Sequence, residues 1–210
     1  MPPSRILELS RHFEIGGHTL NHIRLNIPDL ELIKTEVEGS FNWLKELMGY
    51  NPVSFCFPGG KYNALSARAV FDAGYQLART TELLSTSNGN HNILPTTVQV
   101  YQHPAGTYIR HLIKRRRWQN LYQWLQSGSG SSLEALTNSF LDKVEKNEGV
   151  FHLWGHSWEI EERGLWKKLE FLLKILSERK NFDFIQNKHL VLDPRQKPRI
   201  SEKGSFLQEG

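Results

Sequence analysis

Apolar residues recur at spacings of three and four between positions 29 and 48, where Leu30, Ile33, Val37, Phe41, Leu44 and Leu47 predict one face of an amphipathic helix. Asp29 stands where an N-cap acceptor is needed, and Gly49 where the chain leaves the helix. A short helical piece over 6–11 precedes it, followed by a short strand over 13–15. Pro52 marks a turn, 53–57 is a buried-type strand, and 58–63 is a loop ending on Asn63, which caps a helix that stops before Gly74. Further strands are expected over 75–81 and 94–100, with a polar loop over 85–92 between them.

The second half continues the alternation. A helix over 108–125 carries Ile109, Leu112, Ile113, Leu121 and Leu125 on its apolar side and is interrupted by Lys114-Arg115-Arg116-Arg117. That basic run reads either as a solvated face or as an anion contact. The Ser/Gly stretch 127–132 is a flexible internal connector, followed by a helix with Leu133, Leu136, Phe140, Leu141 and Val144 on its buried side. A strand over 149–154 runs into Gly155-His156-Ser157-Trp158-Glu159. Next come a helix carrying Leu165, Leu169, Leu172, Leu173 and Leu176, and a last strand over 182–185. About six strands alternating with about five helices predict an α/β fold, either an open parallel sheet or an α/β barrel.

Composition narrows the picture a little. The length suits one globular domain over 1–192 with a flexible tail over 193–210, and no apolar run is long enough to span a membrane. The start lacks the apolar stretch of a secretory signal, so a cytoplasmic location is expected. The lone Cys56 excludes an internal disulfide and a cysteine-rich metal cluster, leaving histidine and carboxylate to hold any metal. A net charge of +4 is too modest to name a partner, and the chain shows no nucleic-acid motif.

Three chemically suggestive stretches fall just after predicted strands, where α/β folds bind ligands. Gly16-Gly17-His18-Thr19-Leu20-Asn21-His22 places two imidazoles four positions apart, one helical turn, the spacing at which both can point at one ion. Pro58-Gly59-Gly60 allows close backbone approach, and His156 follows the late strand. The spacing leaves Glu159 open between holding His156 and simply starting the next helix. His152 is expected as a packed polar residue, and Tyr62, Trp158 and Trp166 as either core or sugar-stacking rings.

With these stretches in hand, the chain resembles the polysaccharide deacetylase family, the metal-dependent carbohydrate esterases that share the NodB homology domain and a distorted α/β barrel. His18-Thr19-Leu20-Asn21-His22 matches the family's His-Ser/Thr-x-x-His motif in full. Cys56-Phe57-Pro58-Gly59-Gly60 matches its Arg-x-Pro-x-Gly loop in proline and glycine, with Cys56 in place of the arginine, and Trp154-Gly155-His156 aligns with its Leu-x-His motif. The strand ending in Thr-Phe-Asp-Asp, which carries the family's general base and third metal ligand, has no counterpart. The domain is therefore expected to be an incomplete barrel of about six strands, truncated at its N-terminus.

The resemblance implies a hydrolase that removes N-acetyl groups from amino-sugar glycans. It implies His18 and His22 as ligands of a divalent metal, zinc, weakly bound if the third ligand is absent, and His156 as general acid. Gly59 would supply an oxyanion-binding amide, Trp154 would line the acetyl pocket, and Arg79 would stand in for the charge that Cys56 lacks. The alternative is a non-catalytic descendant of the same fold that binds carbohydrate or a partner chain. A homo-oligomer in which a second chain supplies the missing strand is one form of it.

Overall fold

The stripe predicted over 29–48 forms the longest helix in a computed structural model of the chain, which describes residues 1–86, 92–101, 103–114, 116–126 and 132–191. This helix, α2 (Leu30–Met48), follows α1 (Pro3–Ser10). The Asp29 carboxylate accepts from the Leu32 amide at 2.9 Å, and Gly49 ends the helix at φ 77°, as expected of a cap and a left-handed stop. Ile33, Val37, Phe41 and Leu44 are buried. Met48 is buried where Leu47 was expected to be, while Leu30 stays exposed.

The described residues fall into two compact units, the first made of 1–81, 92–94 and 184–191, the second of 82–86 and 95–183. In the first, β1 (Ser54–Cys56), β2 (Leu77–Arg79) and β3 (Ile93–Leu94) form a parallel sheet, with Phe55 opposite Ala78 and Cys56 opposite Arg79. Between β1 and β2 runs α3 (Ala64–Asp72), whose start is a reciprocal cap between Asn63 and Ser66. Leu25, Ile33, Val37, Phe41, Phe55, Phe57, Val70 and Tyr75 form its core. The rings of Phe41 and Tyr75 meet edge to face at 5.0 Å, and the Tyr75 hydroxyl is satisfied by Ser40 at 2.9 Å.

In the second unit β4 (Val98–Gln99) pairs in parallel with β5 (Leu153–Trp154). The helices are α4 (Ala105–Lys114), α5 (Trp118–Gln126), α6 (Leu133–Asn147), α7 (Ser157–Glu162) and α8 (Trp166–Ser177). Leu84, Val98, Tyr108, Leu112, Trp124, Leu133, Phe140 and Leu172 lie in its core.

The α/β class is as expected, but several elements differ. Five strands are present among the described residues, and neither sheet closes into a barrel. Residues 13–15 are not a strand: only Gly17 bridges, in parallel, to Phe55. The single strand expected over 94–100 is two, because Pro95 has no amide to donate and the chain leaves one sheet there and enters the other. The helix expected over 108–125 is broken by Arg116, which adopts φ 52°. Residues 182–185 are not a strand either, and a short 3-10 turn, Asn187–Leu190, follows them. The Ser/Gly connector 127–131, most of the 85–92 loop and the tail from 192 lie outside the described residues.

Gly17 marks the tightest point of the first unit. Its amide donates to the Ser54 carbonyl at 2.9 Å, its carbonyl accepts from the Cys56 amide at 2.8 Å, and a Cβ there would overlap the Tyr75 hydroxyl. Gly17→Ala is expected to cost about 1–3 kcal/mol through overpacking. Gly106→Ala, with open space around it, should change stability by less than about 1 kcal/mol. Urea unfolding of both variants checks this, and equal effects would refute it.

Candidate functional site

Two glycines set up the histidine turn. Gly16 lies so close to β1 that a Cβ would stand 2.6 Å from the Ser54 hydroxyl and 2.7 Å from its carbonyl oxygen. The chain then turns sharply, with Thr19 at φ 63° and His22 at φ 58°, and the His18 and His22 rings come to 4.8 Å between centroids. The pair expected one helical turn apart is thus brought together by two left-handed residues, with no helix present. His18 is half-buried and His22 exposed.

Long-range hydrogen bonds hold this turn. His18 Nδ1 lies 2.7 Å from the Cys56 carbonyl, which can only accept, so in the neutral ring Nδ1 carries the proton and Nε2 the lone pair. Between the histidines, Asn21 donates twice to the buried Glu36 carboxylate of α2, from its amide at 2.8 Å and its side chain at 2.7 Å. The Leu20 amide donates to the Glu36 carbonyl at 3.1 Å. Glu36 was not singled out from the sequence, where it is one more polar position on a long helix.

The Pro58–Gly60 turn has both glycines in the left-handed region, Gly59 at φ 61° and Gly60 at φ 64°. A Cβ on Gly60 would stand 2.6 Å from the Thr81 amide, whereas Gly59 is exposed. The exposed Arg24 lies beside it, its Nε 3.6 Å from where a Gly59 Cβ would be, a cation that no motif signals.

Arg79 is buried in the first unit, opposite Cys56 in the strand register, and its Nε donates to Asn187 Oδ1 at 2.9 Å. Burial lowers its pKa to about 10, against the opposing pull of Cys56 and Glu14, so it remains a cation at neutral pH. Burial raises the Cys56 thiol to about 11 despite Arg79, which leaves it protonated and a poor nucleophile. One Glu14 oxygen accepts from the Lys188 amide at 2.9 Å, and the other is buried without a hydrogen-bond partner.

In the second unit His156 immediately precedes α7, and its Nδ1 meets the Glu159 carboxylate at 2.6 Å. Glu159 therefore does both things left open by the sequence: it lies in the first turn of the helix and it holds the imidazole. Burial pushes its carboxyl up, but hydrogen bonds from His156 and Tyr101 and the charge of Arg163 outweigh this and hold it below the usual range. The Arg163 guanidinium lies 4.5 Å from the Tyr101 ring centroid. Trp154 packs edge-on to His156 at 4.9 Å and Trp158 stacks on it at 5.4 Å. Tyr101 and Arg163 carry no motif and become visible only in the folded chain.

The remaining aromatic and histidine expectations divide. His152 Nδ1 pairs with the Thr96 hydroxyl at 3.0 Å, a packed polar residue as expected. Tyr62 stacks on Phe57 and belongs to the core, whereas Trp158 and Trp166 are exposed. His103, not singled out before, sits 2.7 Å from Gln99.

As metal donors, His18 and His22 are chemically suitable, and the carbonyl on His18 Nδ1 is the kind of outer partner that fixes a ligating tautomer. Among the described residues no cluster of three or more His, Cys, Asp or Glu side chains could hold an ion. Among the described residues, His18 and His22 thus fit two ligands of a metal site.

Residues 3–78 match the profile of a family described as polysaccharide deacetylase. No curated protein matches the chain. Among solved structures, the chain aligns with one titled Streptococcus pyogenes deacetylase PplD in complex with acetate, at 22% identity and a TM-score of 0.44, covering 46% of this chain and 44% of that one. The chain thus spans less than half the length of that structure. The matched stretch contains both the His18–His22 turn and the Pro58–Gly60 turn.

Proposed function

We propose that the chain serves hydrolysis of the N-acetyl amide on amino-sugar glycans, with His18 and His22 as ligands of a divalent metal. The observation that carries this is the His18–His22 turn, whose two imidazoles meet inside the family match with one of them held in a single tautomer. When bound, an ion such as zinc supplies water of lowered pKa and a Lewis acid for the acetamide carbonyl. The family's distorted barrel is the architecture this reading carries.

The chain's own residues then take these roles. The Gly59 amide, unshielded by a side chain, donates to the oxyanion that forms on attack, with Arg24 beside it and the buried Arg79 as a further cation. Within the second unit, His156 is the proposed general acid, Glu159 its positioning residue through Nδ1, and Trp154, against the His156 ring, the proposed acetyl-pocket residue. With no anionic third ligand beside the two imidazoles among the described residues, metal binding is weak and turnover low.

Zinc titration and an acetate-release assay on N-acetylglucosamine oligomers test this reading. The unaltered chain should bind zinc weakly, and His18→Ala and His22→Ala should each remove the binding. Glu36→Ala should weaken it about 10–100-fold by loosening the turn while leaving both ligands in place. Zinc binding unchanged in both histidine variants, or turnover equal to that of a complete family enzyme, would contradict the proposal.

Glu159→Gln should lower kcat about tenfold with KM little changed, because positioning is lost and the sugar contacts are not. A change confined to KM would refute the positioning role. The assay pH must also keep the second unit folded. Burial, reinforced by Arg163, lowers the pKa of His103 against the pull of Glu159. For a depressed histidine, stability is fully present above the unfolded value of about 6.5 and is lost as pH falls through the folded one. Glu159, also depressed, adds a second loss that begins below about pH 4.3. Thermal unfolding followed from pH 8 to pH 3, about the span of these groups, should show both steps, and His103→Gln should flatten the first. An unchanged first step in that variant would refute the assignment.

A further inference from the structure

The helices α4 and α5 each bury one apolar face and expose another. Tyr108, Leu112 and Trp124 are 1–3% exposed and belong to the core of the second unit. On α4, Ile109 and Ile113 are exposed one turn apart; on α5, Trp118, Tyr122 and Leu125 are 59%, 62% and 54% exposed at the i, i+4, i+7 spacing of a single helix face. Scattered exposed apolar residues need no explanation, but three aliphatic and two aromatic side chains exposed along adjoining helices do.

The charge of the segment is equally one-sided. Between Glu82 and Glu134 the sequence has no aspartate or glutamate, while it carries Arg110, Lys114, Arg115, Arg116 and Arg117. Arg117 is drawn to Glu82 at 2.7 Å, which leaves the segment four cations and no anion of its own. Arg116 takes φ 52° in the turn between the two helices, and Arg110 and Arg116 are both exposed.

We propose that the α4–α5 hairpin docks on an anionic lipid surface, with the exposed Ile, Trp, Tyr and Leu side chains entering the headgroup boundary and the arginines facing lipid phosphates. Three features carry the choice of partner. Trp and Tyr with an apolar body and polar edge suit the interface, aliphatic side chains find their solvent in acyl chains, and a cation-only segment complements an anionic surface. A nucleic acid would be served by the cations and rings but not by Ile109, Ile113 and Leu125. Among the described residues no helix is long and apolar enough to cross a membrane, so the hairpin lies on the surface. The proposal is independent of deacetylation.

Co-sedimentation of the full chain with phosphatidylcholine vesicles, with and without phosphatidylglycerol, tests it. Binding should be at least about tenfold tighter with phosphatidylglycerol and should weaken with salt. Trp118→Ser/Tyr122→Ser and Arg110→Glu/Arg116→Glu should each lower it by about tenfold or more. These side chains are exposed, so unchanged thermal unfolding of both double variants is expected and distinguishes lost docking from lost folding. Absent binding, equal binding to neutral and anionic vesicles, or binding unaffected in either variant would overturn the proposal. So would oligonucleotide binding in place of vesicle binding, or self-association of the chain that disappears in Trp118→Ser/Tyr122→Ser.

Discussion

One buried carboxylate holds the turn on which the site depends. Glu36 lies on the inner side of α2, where an unpaired charge would be costly, and Asn21 satisfies it with two donors. The exchange binds both partners: the helix gains a satisfied anion, and the loop gains an anchor midway between His18 and His22. Without it, left-handed conformations at Thr19 and His22 would have little to offset them, since each costs a non-glycine residue something like 1 kcal/mol or more. The close approach of the two imidazoles is therefore a consequence of packing against α2, with the Cys56 carbonyl orienting one ring.

Cys56 stands opposite a buried cation in the strand register. Arg79, opposite in the strand register, places a guanidinium in the same environment, and the two groups act on each other's ionisation. Burial leaves the thiol neutral while the arginine stays charged. Arg24, beside Gly59, adds a second positive group from the loop that precedes α2.

In the second unit the same principle holds a different imidazole. Glu159 is buried at the start of α7 and would be an expensive anion there but for His156, Tyr101 and Arg163. The Arg163 guanidinium lies over Tyr101, and Trp154 and Trp158 flank His156, so charge, hydrogen bond and ring contact all limit the imidazole's orientation. The result is a histidine whose protonated nitrogen is committed to a carboxylate and whose surroundings are aromatic.

Local patterns in the sequence determined the caps and stripes: Asp29, Gly49 and Asn63 mark α2 and α3 because capping involves atoms only a few residues apart. The His18–His22 pair and the glycines of 58–60 were legible as motifs, and so was the α/β alternation. Tertiary structure decided the rest. It replaced the expected helical turn by a left-handed one, divided the strand at Pro95, broke the 108–125 helix at Arg116, and withheld strand pairing from 13–15 and 182–185. Glu36, Arg24, Tyr101 and Arg163 also came to light only there. Each of these depends on partners brought from distant positions, and neither periodicity nor spacing along the chain encodes which buried charge will meet which donor.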